Sequence, residues 1–251
     1  MFRVVIPARF DSARLPGKVL LPLSGRPMLQ WVCERAQRSG ARATVVATDD
    51  GRIATAAAAV GVPVIMTAAT HASGTDRIAE AAVKLGWDGD DIVVNLQADE
   101  PLMPPALIVQ AARLLQEHPG ADVGTLASPV SSLAELLDPN AVKVVTDGEG
   151  RALYFSRAPI PWDRDGAAAG TQTRTTAARR HIGLYSYRVR SLLRLSQLPP
   201  SPLEACEKLE QLRALSAGMC IQVADAAERP GPDVNTPEDL QRVQALLARQ
   251  S

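Results

Sequence analysis

Three cations, Arg9, Arg14 and Lys18, stand five and four residues apart in IPARFDSARLPGK, residues 6–18. Pro7, Pro16 and Gly17 break any regular helix there, so the cations share a loop. Guanidinium forks and an ammonium point charge both suit phosphate oxygens. Together the three could neutralise a triphosphate and stabilise charge developing on a pyrophosphate leaving group. The residues alone leave a second reading open, three solvated surface charges. The loop is neither GxGxxG nor GxxxxGK[ST], because Val19 follows Gly17-Lys18.

Acids and polar residues recur in other short stretches. LQADEP, 96–101, sets Asp99 and Glu100 at the end of an apolar run. A carboxylate there suits a hard cation such as Mg²⁺, which shares its ligands with substrate phosphates; a helix cap or a surface acid is the plainer alternative. HASGTDR, 71–77, offers Ser73, Gly74, Thr75 and Arg77, small polar groups able to read a base or sugar edge. Ser73 or Thr75 also suits a helix cap. LYFSRAPIPWDR, 153–164, places Arg157 and Arg164 around a proline-rich turn with Trp162. HIGLY carries His181 and Tyr185, and KLEQLRAL carries Glu210 and Gln211. Cations, imidazole, phenol and amide together would suit a polyhydroxylated acid, although a lone histidine is more often structural and Glu210-Gln211 by default a solvated helix face. Asn235 and Thr236, in DVNTPEDL, read as capping residues.

The elements that must position these groups alternate. Apolar runs predict strands over 2–6, 44–48, 62–66, 91–96 and 124–128, and helical spacing predicts helices over 28–38, 52–60, 75–85 and 105–117. Alternation of this kind argues for βαβ units around a mostly parallel sheet flanked by helices. Ligands of such sheets bind beyond the carboxyl ends of the strands, which points to the loops 7–18, 67–77 and 97–104. After about residue 138 the pattern changes. Strands over 142–146 and 152–156 flank a turn at Asp147-Gly148-Glu149-Gly150, a hairpin signal. A mobile loop is expected over 167–178, a strand over 181–187, and helices over 190–197, 203–217 and 237–249, the last capped by Thr236. The expected organisation is one domain, 1–251, with a smaller mixed β subregion over about 138–190.

Composition narrows the class. The 251 residues are 46% hydrophobic, and 27 Lys and Arg balance 27 Asp and Glu. That balance argues against a generally basic nucleic-acid binder, and 4% aromatics argue against stacking platforms for single strands. Cys33, Cys206 and Cys220 form no CxxC pair, so neither a disulfide scaffold nor a zinc site is expected, and a reducing cytoplasm fits. No stretch approaches the roughly 18 apolar residues of a spanning helix, so no membrane partner is expected.

In order along the chain, the IPAR…RLPGK, SGTDR, QADEP, NAVKVV, LYFSR…IPWDR, HIGLY and PSPLE…LEQLR segments resemble the 3-deoxy-manno-octulosonate (Kdo) cytidylyltransferase family. The resemblance covers about 4–246. It implies a nucleotide-diphospho-sugar transferase fold and Mg²⁺-dependent transfer of CMP from CTP to the anomeric hydroxyl of Kdo, feeding lipopolysaccharide synthesis. It also implies a homodimer. By resemblance, Arg9, Arg14 and Lys18 hold the CTP phosphates, and Ser73, Gly74, Thr75 and Arg77 lie near the nucleotide. Asp99 binds metal, and Arg157, His181, Tyr185, Glu210 and Gln211 hold the sugar acid. Two positions depart from the family pattern. Ala98 replaces the glycine of QGDEP, and Asn235 replaces an Asp expected as the second metal ligand. An asparagine oxygen can ligate Mg²⁺ but brings no charge, with Asp233 two residues away as a possible source of it. An 8-amino-Kdo acceptor, another nucleotidyltransferase of the same fold, and a catalytically weak nucleotide-binding paralogue are the alternatives.

Overall fold

The structure is a computed structural model and describes residues 1–11, 15–168 and 177–249. Strands β1 (Phe2–Ala8), β4 (Ala43–Thr48), β5 (Val64–Met66) and β6 (Ile92–Asn95) alternate with helices α1 (Met28–Arg38), α2 (Gly51–Ala58) and α3 (Gly74–Lys84). A short hairpin, β2 (Pro22–Leu23) and β3 (Arg26–Pro27), precedes α1. Then come α4 (Pro105–Glu117), β7 (Val123–Pro129), α5 (Leu133–Leu137), β8 (Lys143–Thr146), β9 (Ala152–Ser156), α6 (Arg164–Ala168) and β10 (Arg179–Arg188). The chain continues through α7 (Val189–Gln197), α8 (Pro202–Glu207), α9 (Gln211–Ser216), β11 (Ile221–Asp225) and α10 (Pro237–Ala248). Among the described residues no helix is long and apolar enough to cross a membrane.

The main sheet runs β11-β7-β10-β6-β1-β4-β5, with β8 joined to β10 and β9. β1 pairs in parallel with β4 and β6, β4 with β5, and β11 with β7. Only β10 interrupts this path, antiparallel to both β6 and β7. The strands are apolar on both sides because both faces are covered. Val4 and Ile6 join Leu29, Val32, Leu107 and Ile108 from α1 and α4. Val5 faces the other way, to Ile78 of α3, Leu192 and Leu195 of α7, and Leu212 of α9. A third cluster packs Val243 and Leu247 of α10 on Leu23, Met28 and Val234.

The predicted helices and strands of the first half lie within a few residues of those observed. Downstream there are differences. The single helix expected over 203–217 is two, because Lys208 turns left-handed at φ 55°. The break has a cause: Arg157 Nε donates to the carbonyl of Glu207 and holds the helix end. Sequence reading also missed the β2–β3 hairpin, α5, β11 and α6, whose end at Ala168 runs into the start of the loop expected from 167. Of the loop expected over 167–178, residues 169–176 lie outside the described residues.

Candidate active site

Two cavities open side by side on the edge where the parallel strands end. The first, about 360 Å³, is lined by Arg9, Lys18, Ser73, Gly74, Arg77, Gln97, Asp99 and Asn235. The second, about 670 Å³, is lined by Glu100, Ser128, Asn140, Arg180, His181, Tyr185, Arg229, Asp233 and Arg242, and shares Gln97 and Asp99 with the first. β10 makes the junction. Its antiparallel direction brings its amino end, with His181, beside the carboxyl ends of β6 and β7.

The first loop leaves β1 at Ala8 and returns at Gly17, whose N–H bonds the Phe10 carbonyl at 3.0 Å. Gly17 is left-handed at φ 65°, and a Cβ there would lie 2.9 Å from the Phe10 ring. This closure delivers Lys18 to the cleft. Its Nζ bonds Asp99 Oδ2 at 2.5 Å, the Val234 carbonyl at 3.2 Å and Asn235 Oδ1 at 3.2 Å. Arg9 is exposed on the same cavity wall. Arg14 lies outside the described residues.

Across the cavity, Ser73 caps α3 and forms a capping box with Asp76, so the capping reading of Ser73 is correct and its backbone position is fixed. Gly74 sits where a Cβ would lie 3.3 Å from Pro7, which keeps α3 close to β1. Arg77 is buried; it bonds Thr67 Oγ1 at 2.5 Å and pairs with Asp49 at 3.2 Å. Thr75 is also buried, and its hydroxyl donates to Glu210. Ala98 is a buried wall residue whose φ is not left-handed, so the loop needs no glycine there.

In the second cavity, His181 Nε2 lies 2.9 Å from Thr125 Oγ1, and that hydroxyl is 2.8 Å from the Leu184 carbonyl. The hydroxyl proton goes to the carbonyl, so Nε2–H donates to Thr125 and Nδ1 is left as an acceptor. Burial, with Arg180 nearby, pulls the imidazole down to about 3. His181 is therefore neutral at physiological pH and serves as a hydrogen-bonding group. Burial raises the Tyr185 phenol well above its usual value. Burial and the carboxylates of Asp99 and Asp233 likewise push Glu100 well above the ordinary carboxyl range.

The remaining sugar-site candidates lie apart from both cavities. Arg157 Nε bonds the Glu207 carbonyl at 2.7 Å and Nη1 the Pro139 carbonyl at 2.9 Å. Glu210 and Gln211 pack behind Tyr185 against Tyr187, where a small cavity of about 10 Å³ separates them from the sheet. Sequence reading missed Arg180, Arg229, Arg242 and Asn140. Arg180 is the neighbour of His181, and Arg229 follows β11, whose run IQVAD is a recognisable apolar strand ahead of Pro230.

Three oxygens thus converge on one cation, the Lys18 ammonium, and all are hard donors. That set fits a small divalent ion that takes its other ligands from phosphate and water. Among the described residues no three His, Cys, Asp or Glu side chains converge on a metal site.

A mostly parallel sheet with paired polar cavities at its carboxyl edge is an architecture that takes ligands beyond its strand ends. A family model described as "Cytidylyltransferase" matches residues 3–221. The chain is 54% identical to the protein named 3-deoxy-manno-octulosonate cytidylyltransferase of Alkalilimnicola ehrlichii, over 99% of this chain and 97% of that one. It is 52% identical to the protein of the same name from Thioalkalivibrio sulfidiphilus, over 98% of each. Among solved structures, a CMP:2-keto-3-deoxy-manno-octonic acid synthetase complexed with CTP superposes with a TM-score of 0.90, at 42% identity over the whole of both chains. A nucleotidyl transferase from Methanothermobacter, 16% identical with a TM-score of 0.65, shares the fold. The chain belongs to the 3-deoxy-manno-octulosonate cytidylyltransferase family.

Proposed function

We propose that this protein transfers CMP from CTP to the anomeric hydroxyl of Kdo, releasing pyrophosphate and forming CMP-Kdo for lipopolysaccharide synthesis. The observation that carries the reading is the pair of cavities meeting at Asp99. The first takes the nucleotide: Arg9, Arg14 and Lys18 hold its phosphates, while Ser73, Gly74, Thr75 and Arg77 shape the wall beside it. The second takes the sugar acid. There Arg180, Arg229 and Arg242 offer partners for a carboxylate, and His181 Nδ1 accepts from a sugar hydroxyl. Arg157, Glu210 and Gln211 support this wall from behind.

The anomeric oxygen attacks the α-phosphorus, the bond to the bridging oxygen breaks, and pyrophosphate leaves with that electron pair. The hydroxyl proton passes to solvent. Both substrates are anions, so the cationic wall offsets their repulsion and positioning accounts for most of the rate. Mg²⁺ held by Asp99 and Asn235 would add further charge neutralisation when bound. Lys18, whose Nζ bonds those two oxygens, would then be released toward the phosphates. The protein works in the cytoplasm as a homodimer, and the 138–190 subregion leaves the apolar side chains of Leu153 and Trp162 exposed for a partner to cover.

Pyrophosphate release with CTP, Mg²⁺ and Kdo tests this. Turnover with CTP and not with ATP, GTP or UTP is expected. CTP binding without turnover would overturn it, and faster turnover of 8-amino-Kdo than of Kdo would reassign the acceptor.

A further inference from the structure

At Asn235 the cation cleft presents an amide oxygen, which brings no charge. The structure shows what stands behind that amide. Asn235 Oδ1 accepts from Lys18 Nζ at 3.2 Å, and Asn235 Nδ2 donates to Asp233 Oδ2 at 2.5 Å. An ammonium can only donate and a carboxylate can only accept, so one amide orientation satisfies both neighbours. That orientation aims the oxygen at the cation position.

The backbone around the amide is fixed. The Val234 side chain is fully buried, and its N–H bonds the Asp99 carbonyl at 2.9 Å. The N–H groups of Asn235 and Thr236 both bond Asp239 Oδ2 at 3.0 Å. Asn235 is thus tied to the Asp99 loop on one side and to the start of α10 on the other. Its side-chain amide lies between Lys18 and Asp233.

We propose that Asp233 supplies, through Asn235, the negative charge that the second ligand of the cation site lacks. The carboxylate orients the amide and polarises it, so that the carbonyl oxygen carries more negative charge toward the cation. This is the work that a partner behind a metal ligand performs in general. Asp233 is a positioning residue; it acts through Asn235. The inference rests on the metal-dependent reading of the first cavity.

The test is Mn²⁺ binding with CTP present and no acceptor, followed by water-proton relaxation enhancement, which reports the protein-bound ion. Asp233→Asn keeps an acceptor for Nδ2 and removes only the charge. It is expected to raise half-saturating Mn²⁺ about tenfold. In the Asn235→Asp background the charge is already on the ligand, so the same change should leave Mn²⁺ binding within about threefold, or tighten it by removing like-charge repulsion. A merely structural role for Asp233 would weaken binding in both backgrounds, and that result overturns the proposal. So does unchanged binding in Asp233→Asn alone. If the wild-type protein itself shows no enhancement, the metal-dependent reading falls, and the inference with it. Far-ultraviolet circular dichroism of each variant separates these outcomes from unfolding.

Discussion

The first cavity is walled by loops that leave parallel strands, with Lys18 reaching across to Asp99 and Asn235. The second is assembled around β10, the strand that runs against its neighbours, from segments as far apart as Asn140 and Arg242. The difference lies in what holds each wall. In the first, local devices shape the loops, where Gly17 closes one and Ser73 caps a helix, and Lys18 ties them to Asp99 and Asn235 far along the chain. Behind the second, buried side chains tie neighbouring segments together. Lys143 is fully buried, and its Nζ donates to the carbonyls of Asp138 at 2.9 Å, Ala141 at 2.5 Å and Arg157 at 2.6 Å. Glu207 takes the Ser156 hydroxyl at 2.6 Å and the Arg157 N–H at 2.9 Å.

The largest effect is expected at the residue the cavities share. Asp99→Ala removes the charged oxygen from the cation site and should lower kcat on the order of 10³-fold, measured by pyrophosphate release, with little loss of fold. Lys143→Met should cost about 3 kcal/mol in denaturant unfolding, because three inward carbonyls lose their donor. It should raise the acceptor KM while leaving the CTP KM near wild type. Gly17→Ala should cost about 1 kcal/mol for the left-handed backbone. Its kinetic effect should fall on the CTP side, the reverse of Lys143→Met.

A pH dependence is also expected in the second wall. Folded His181 titrates at about 3, and an unfolded histidine near 6.5. Between those values the unfolded chain binds a proton that the folded chain does not, so stability is full above about 6.5 and falls as pH drops toward 3. His181→Gln should flatten that acid limb in urea titrations; an unchanged limb would place its cause elsewhere.

The same contrast decides how much was legible in the sequence. The parallel half of the sheet could be read from apolar runs and glycine stops. The loop carrying Arg9 and Lys18 and the capped start of α3 were visible as motifs. The second cavity was legible only in part: His181 and Tyr185 stood in a recognisable stretch, but Asn140, Arg180, Arg229 and Arg242 join them only in the folded sheet, where β10 pairs antiparallel between β6 and β7. Nothing local announces that pairing. Arg157 and Glu210 stood out as charged residues in recognisable stretches, but their spacing along the chain is silent on the Glu207 carbonyl and the Thr75 hydroxyl that hold them. The break at Lys208 was hidden for the same reason, since it depends on an arginine some fifty residues earlier in the chain.

The division of labour between the cavities is tested most directly by a crossed KM measurement on Arg9→Ala and Arg180→Ala, varying CTP and Kdo in turn. Arg9→Ala should raise the CTP KM about tenfold with the Kdo KM near wild type, and Arg180→Ala should do the opposite. Equal shifts in both constants for either variant, or the two patterns exchanged, would contradict the account.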